Sequence, residues 1–284
     1  MNKRTAEPHR NWAALSRAER DAAYNNNAAV PDSADLIARR DEASAQFRAA
    51  HPGGLDKAYG PYERNAFDLY PAADATAPCL IFVHGGYWQR NSREVFAAFA
   101  EGLTASGWSV AIPSHRLAPD VTLDAIVTEI AQAIDWLAGN GAEHGIAGPL
   151  VLSGWSAGGH LTAMHLDHPK VVAGLAISGI YELGPLRDTF LDQALRLSDE
   201  AIETLSPLRL PVVAKPLAIA YGTAEVPALV HDSRAFHAMR AAAHAPGPLI
   251  PVAGADHFSI LEEFRRPDGL LCRAARDLMD GMAA

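Results

Sequence analysis

The stretch Leu150-Val151-Leu152-Ser153-Gly154-Trp155-Ser156-Ala157-Gly158-Gly159-His160 constrains this chain more than any other. A short apolar run ends in Gly-x-Ser-x-Gly and a helix-compatible segment follows. A strand must therefore stop, turn sharply and become a helix, with serine at the apex in a strained backbone conformation. Gly154 and Gly158 are required because a Cβ at either place would strike the neighbouring strand or helix. The turn exposes the Ser156 hydroxyl at a helix N-terminus, where backbone N–H groups meet developing negative charge.

Strand and helix patterns alternate on both sides of this turn. Cys79-Leu80-Ile81-Phe82-Val83 is a continuous apolar run, the mark of a strand covered on both faces. Residues 108–112, 171–178, 217–222 and 249–253 read as further strands, and residues 65–70 alternate like a half-exposed one. Helices are predicted over 93–105, from 157 toward 165, and over 123–137, where Ile126, Ile130, Ala133, Ile134 and Leu137 recur at helical spacing. A last helix includes Leu270, Leu271, Ala274 and Leu278. Residues 1 to about 60 form a polar, alanine-rich N-terminal helical extension. In it Asn25-Asn26-Asn27 marks a loop, Ser33 caps a helix running through Leu36, Ile37 and Ala43 to Phe47, and His51-Pro52-Gly53-Gly54 ends that helix. Residues 181–211 carry helical pieces and prolines but no strand, which suits a small cap-like helical insertion over the active site. The alternation predicts one α/β domain over residues 1–284, with a mostly parallel central sheet and helices on both faces.

Composition narrows the function. The net charge is −9, with no basic block, so nucleic acid is not an expected partner. Cys79 and Cys272 lie far apart and in no metal spacing, and Cys79 reads as a buried thiol in an apolar strand. Asn2, Lys3 and Arg4 lead into no apolar core segment, and no run approaches the roughly 18 apolar residues of a membrane helix. A cytoplasmic protein without a membrane partner is expected. No cofactor is implied. His84 and His160 lack a third ligand at useful spacing, so no metal is expected either. The oligomeric state is open, a homodimer included.

A serine nucleophile needs a base, an orienting acid and donors for an oxyanion. On a sheet of this kind the order is Ser, then Asp or Glu, then His, each in a loop after a strand. The loop after residues 217–222 offers Thr223-Ala224-Glu225, and the loop after 249–253 offers Gly254-Ala255-Asp256-His257-Phe258. Glu225 is expected to hold one nitrogen of His257 while the other takes the Ser156 proton. Asp256 and Asp232 are rival acids. Adjacency in sequence does not put Asp256 under the ring, and shaping the turn or starting a helix suits it better. The oxyanion donors are expected from Ala157 and from His84-Gly85-Gly86-Tyr87-Trp88, with Gly86 and Tyr87 donating and Gly85 making the turn. The remaining histidines, His115 and His165 among them, read as structural or solvated.

These pieces together resemble the α/β-hydrolase superfamily, on the branch that includes hormone-sensitive-lipase-like esterases and the kynurenine formamidases (arylformamidases). The resemblance runs from about residue 60 to 265 and is carried by His84-Gly85-Gly86-Tyr87-Trp88, Ser114-His115-Arg116-Leu117-Ala118-Pro119, the serine turn through Leu161, and Asp256-His257-Phe258. Gln89 after the Tyr-Trp pair, Tyr59-Gly60-Pro61 and Tyr24-Asn25-Asn26 are closer to the formamidases. Three positions depart from the family pattern. Glu225 stands where that group usually has aspartate, Trp155 where many relatives have histidine, and His115 where tyrosine is common. The resemblance implies a small-molecule substrate, an N-formyl or N-acyl arylamine such as N-formylkynurenine, cleaved to kynurenine and formate through an acyl-enzyme on Ser156. The alternative is a carboxylesterase acting on short-chain acyl esters. An inactive binding protein of the same fold is disfavoured by the intact Ser156, His257 and glycine loop. Tyr87, Trp88, Trp155 and Tyr181, with Phe258, are candidates for an aromatic substrate wall, core packing being the alternative for any one ring.

Overall fold

The continuous apolar run becomes the middle of the sheet. The computed structural model describes residues 12–283. Among them eight strands form one sheet: β1 (Lys57–Ala58), β2 (Ala66–Tyr70), β3 (Cys79–Val83), β4 (Ser109–Pro113), β5 (Leu150–Trp155), β6 (Val171–Ile177), β7 (Leu217–Gly222) and β8 (Leu249–Val252). Their order is β1-β2-β4-β3-β5-β6-β7-β8. The β1–β2 and β2–β4 pairs are antiparallel and the rest are parallel. Cys79, Ile81 and Val83 of β3 enter one core while Leu80 and Phe82 enter the other, as strand pleating requires.

The helices are α1 (Arg17–Ala23), α2 (Asn26–Ala29), α3 (Ser33–Ala50), α4 (Glu101–Ala105), α5 (Leu123–Asn140), α6 (Ala157–Met164), α7 (Asp192–Leu195), α8 (Asp199–Leu205), α9 (Pro227–Ala242) and α10 (Leu270–Ala283). The apolar stripe of α5 packs on the Ile81 face, and Leu271, Ala274 and Leu278 of α10 pack on the Leu80 face. No helix among the described residues is long and apolar enough to cross a membrane. Both cysteines are free and buried, and burial pushes their thiols up, Cys272 to about 12.

Several local expectations change. Residues 93–105 begin as a 3-10 helix, Arg93–Ala100, before α4. Helix α9 is not foreseen, because its buried face includes Asp232, Ser233 and Arg240 and so shows no apolar stripe. Ser33 does not cap α3. Asp32 takes that place without a side-chain hydrogen bond, and the Ser33 hydroxyl donates to the Asn27 carbonyl at 2.9 Å. The expected Asn25–Asn27 loop contains α2, which Asn25 caps by accepting from the Ala28 N–H at 3.1 Å.

Strand β2 is buried along its whole length rather than half-exposed. Helix α3 covers it, with Phe47 edge-on to Tyr70 at 5.0 Å. Asp68, fully buried, receives Arg48 of α3 at 2.7 Å and Arg93 at 3.1 Å. A buried charge of this kind is tolerable only while its partners remain. Asp68→Ala leaves Arg93, whose side chain is 8% exposed, without its buried partner. That substitution is expected to cost about 3–5 kcal/mol of stability, read as a lowered urea midpoint. A midpoint equal to that of the parent protein would contradict this account of how α3 is held.

Candidate active site

Strand β5 ends at Ser156, whose φ of 58° and ψ of −117° lie where non-glycine residues are rare. The strain is held by neighbours. The Ser156 N–H donates to the Ile177 carbonyl at 2.8 Å, and its carbonyl accepts from His160 at 3.1 Å. A Cβ on Gly154 would lie 2.3 Å from the Gly158 carbonyl oxygen, and one on Gly158 would lie 2.0 Å from that of Val83. The glycines of the turn are therefore a packing requirement.

Three side chains from three loops converge at this apex. The Ser156 Oγ is 3.1 Å from His257 Nε2, and His257 Nδ1 is 3.2 Å from Glu225 Oε2. All three residues are buried. The second carboxylate oxygen of Glu225 accepts from the Ser178 hydroxyl at 2.5 Å and from the Gly222 N–H at 2.8 Å. Glu225 is thus tied to the ends of both β6 and β7. Asp256 turns away from the ring and accepts from the Phe258 and Ser259 N–H groups, both at 2.8 Å, at the start of the 3-10 helix Ser259–Phe264. Asp232 instead accepts from the Tyr181 and Glu182 N–H groups.

The loop after β3 runs against this apex. Gly85 sits where a Cβ would come within 2.6 Å of the Trp155 carbonyl oxygen and 2.9 Å of Ser156 Cβ. Its need for glycine is this close approach. The turn itself falls one residue later, at Gly86, Tyr87 and Trp88, which have φ of 120°, 53° and 58°. The Gly86 carbonyl closes that turn by accepting from Gln89 and Arg90. Asn91 braces it by donating to the Gly85 carbonyl at 3.1 Å. Among the described residues none accepts a hydrogen bond from the N–H of Gly86, Tyr87 or Ala157.

The cleft beside Ser156 and His257 is small, about 50 Å³. Tyr87, Trp155 and Phe258 wall it. Trp88 and Tyr181 do not. Trp88 is buried edge-on against His160 at 5.0 Å, and Tyr181 is stacked on Phe236 at 4.4 Å, both away from the cleft. Trp155 also donates its indole N–H to the His257 carbonyl at 2.8 Å and lies 4.6 Å from the imidazole, which positions the ring. The remaining wall comes from Gly86, Arg90 and Asn91 of the loop after β3 and from the N-terminal extension, through Asn26 and Asn27 of α2 and Ile37 and Arg40 of α3. The helical stretch 181–211 does not line the cleft and supports it from outside, where the Leu191 carbonyl accepts from Gln89 at 3.0 Å. A larger hollow of about 910 Å³, with Phe47 and Tyr70 in its wall, opens at the amino ends of the parallel strands, the far edge from Ser156.

This architecture recurs in known proteins. A BD-FAE family model matches residues 67–168. The chain is 25% identical to a kynurenine formamidase of Danio rerio over 92% of its own length and 96% of that protein. A candidate thioesterase of Silicibacter sp., known from a crystal structure, superposes with a TM-score of 0.80 at 29% identity, covering 90% of this chain and 98% of that one. The chain has the α/β-hydrolase fold and is similar along most of its length to hydrolases of that fold, kynurenine formamidases and esterases among them. It is also 27% identical to Esterase LipC of Mycobacterium tuberculosis over 73% of its length and 60% of that protein. The hydrolase thus carries an enzyme's relatives along most of its length.

Four histidines of the hydrolase are buried, and burial favours their neutral form. His84 stacks on His115 at 4.7 Å, and His160 donates to the Leu205 carbonyl at 2.7 Å. Burial lowers all four, His115, His160 and His165 to about 4 and His84 well below its ordinary value. In the unfolded chain they take up protons nearer 6.5, so stability is complete above that pH and is lost as pH falls toward 4. Urea midpoints are expected to drop over this window, each histidine contributing up to about 1.4 kcal/mol per pH unit. A flat profile between pH 6.5 and 4 would refute it. In the same site, Glu225→Gln is expected to lower kcat by roughly 10²–10⁴. Asp256→Asn, which retains an acceptor for the turn, should stay near the parent value. The reverse ranking would make Asp256 the orienting acid.

Proposed function

We propose that this hydrolase cleaves the amide bond of an N-formyl or short N-acyl arylamine, with N-formylkynurenine as the reference substrate, through an acyl-enzyme on Ser156. The observation that carries the reading is the small cleft walled by the N-terminal helices. About 50 Å³ beside Ser156 is room for a few water-sized groups, which suits a formyl or other short acyl group with the arylamine lying toward the open side of the cleft. The similarity to the Danio rerio formamidase, at 92% of the chain, extends into the same N-terminal helices.

In this reading His257 Nε2 accepts the Ser156 proton as the oxygen attacks the acyl carbon. The N–H groups of Gly86, Tyr87 and Ala157 receive the oxyanion, and Glu225 stabilises the imidazolium. Collapse breaks the C–N bond as His257 returns the proton to the arylamine nitrogen. Water, deprotonated by His257, then releases formate and frees Ser156. No cofactor enters either half of the reaction.

The test is kcat/KM for N-formylkynurenine beside a p-nitrophenyl short-chain ester, with Ser156→Ala as control. A formamide preference of a hundredfold corresponds to about 2.7 kcal/mol of differential transition-state binding and supports the reading. Good ester turnover with negligible formamide turnover would make the protein a carboxylesterase instead. Activity retained in Ser156→Ala would overturn both.

A further inference from the structure

The side chain of Asn26 is fixed at one end and unsatisfied at the other. Its Nδ2 donates to the Tyr87 hydroxyl at 2.8 Å, and that hydroxyl donates to the Tyr24 carbonyl at 2.5 Å. A phenol has one proton to give. With that proton committed to Tyr24, the Tyr87 oxygen can only accept from Asn26, which settles which end of the amide faces Tyr87. The other end, Oδ1, is buried and has no donor among the described residues. Asn26 is 3% exposed and stands in the wall of the cleft that contains Ser156 and His257. A buried amide oxygen without a donor is unfavourable, and a donor delivered by a ligand relieves it.

Amides and esters of the same acid and ring differ in one respect relevant here. The amide carries an N–H next to the bond that breaks, and the ester carries an oxygen with no hydrogen. When the amide carbon becomes tetrahedral, its nitrogen turns pyramidal. The nitrogen lone pair must then meet the proton held on His257 Nε2, so the N–H must point elsewhere. An acceptor in the cleft wall holds the nitrogen in that configuration.

We propose that Asn26 Oδ1 accepts the N–H of the scissile amide, so that the N-terminal extension selects N-acyl arylamines over the corresponding esters. The inference rests on the Ser156 reading above and assigns Asn26 two tasks. Through Nδ2 it positions the Tyr87 loop, which serves any acyl substrate. Through Oδ1 it contacts the leaving nitrogen, which serves amides alone.

The two tasks separate in one experiment. Formanilide and phenyl formate deliver the same formyl group to Ser156 and differ in N–H against O, and kcat/KM reports acylation for both. Asn26→Ala is expected to lower kcat/KM for formanilide roughly tenfold or more beyond its effect on phenyl formate. Tyr87→Phe, which cuts the tie and leaves the Asn26 amide in place, should lower both substrates by similar factors. If Asn26→Ala fails to fold by circular dichroism, Asn26→Ser gives the same comparison. Equal losses for both substrates in the Asn26 variant would overturn the proposal and leave Asn26 acting only through Tyr87. If the parent enzyme cleaves phenyl formate but not formanilide, this proposal and the formamidase reading fall together.

Discussion

At the end of β3 the first turn of α6 passes so close to the Val83 carbonyl that no side chain fits between them. The rest of the site is built on this contact. It forces the backbone at Ser156 into a region that an L-residue enters only under constraint, and it brings the loop after β3 beside the start of α6. Donors from two separate segments therefore face one point. The strain is distributed among many neighbours. Ile177, His160, Gly85 and Trp155 all press on the same few atoms, so the apex has little freedom to relax.

The second constraint is ionic and lies within the sheet's antiparallel edge, in β2. Asp68 alone in β2 has a charged side chain, and it spends that charge on Arg48 and Arg93. Through Arg48 it docks α3, and α3 with α2 closes the cleft. A carboxylate buried in one strand thus helps hold a helix that walls a site built by others.

The sheet is legible in the amino-acid sequence because parallel strands covered on both faces must be apolar runs, and these end within a residue of their predicted limits. The meeting of Ser156, Glu225 and His257 is legible for the same reason, since each follows such a run. Ser178 is harder to find. It follows β6 directly, and only the pairing of β6 with β7 brings it to Glu225. The aromatic rings divide unpredictably, Trp155 and Phe258 to the cleft and Trp88 and Tyr181 to the core, because an apolar ring suits either place. Whether residues 1 to about 60 roof the site stays open in the sequence. Asn26 belongs to a polar, low-pattern stretch, and its meaning appears only when it meets Tyr87 across 61 positions of chain. Its sole trace is the Tyr24-Asn25-Asn26 likeness to formamidases, which carries no role with it.

The wall of the cleft takes Asn26 from one end of the described chain and His257 from the other. A protein made from its N-terminus outward therefore synthesises the cover first, the nucleophile midway and the base late. Contacts that join such distant positions form slowly and only after the intervening loops have closed. A nascent chain that has emerged through β6 contains Ser156 but has neither Glu225 nor His257 beside it. Reactivity arrives with the last strands, when the fold around the serine is complete.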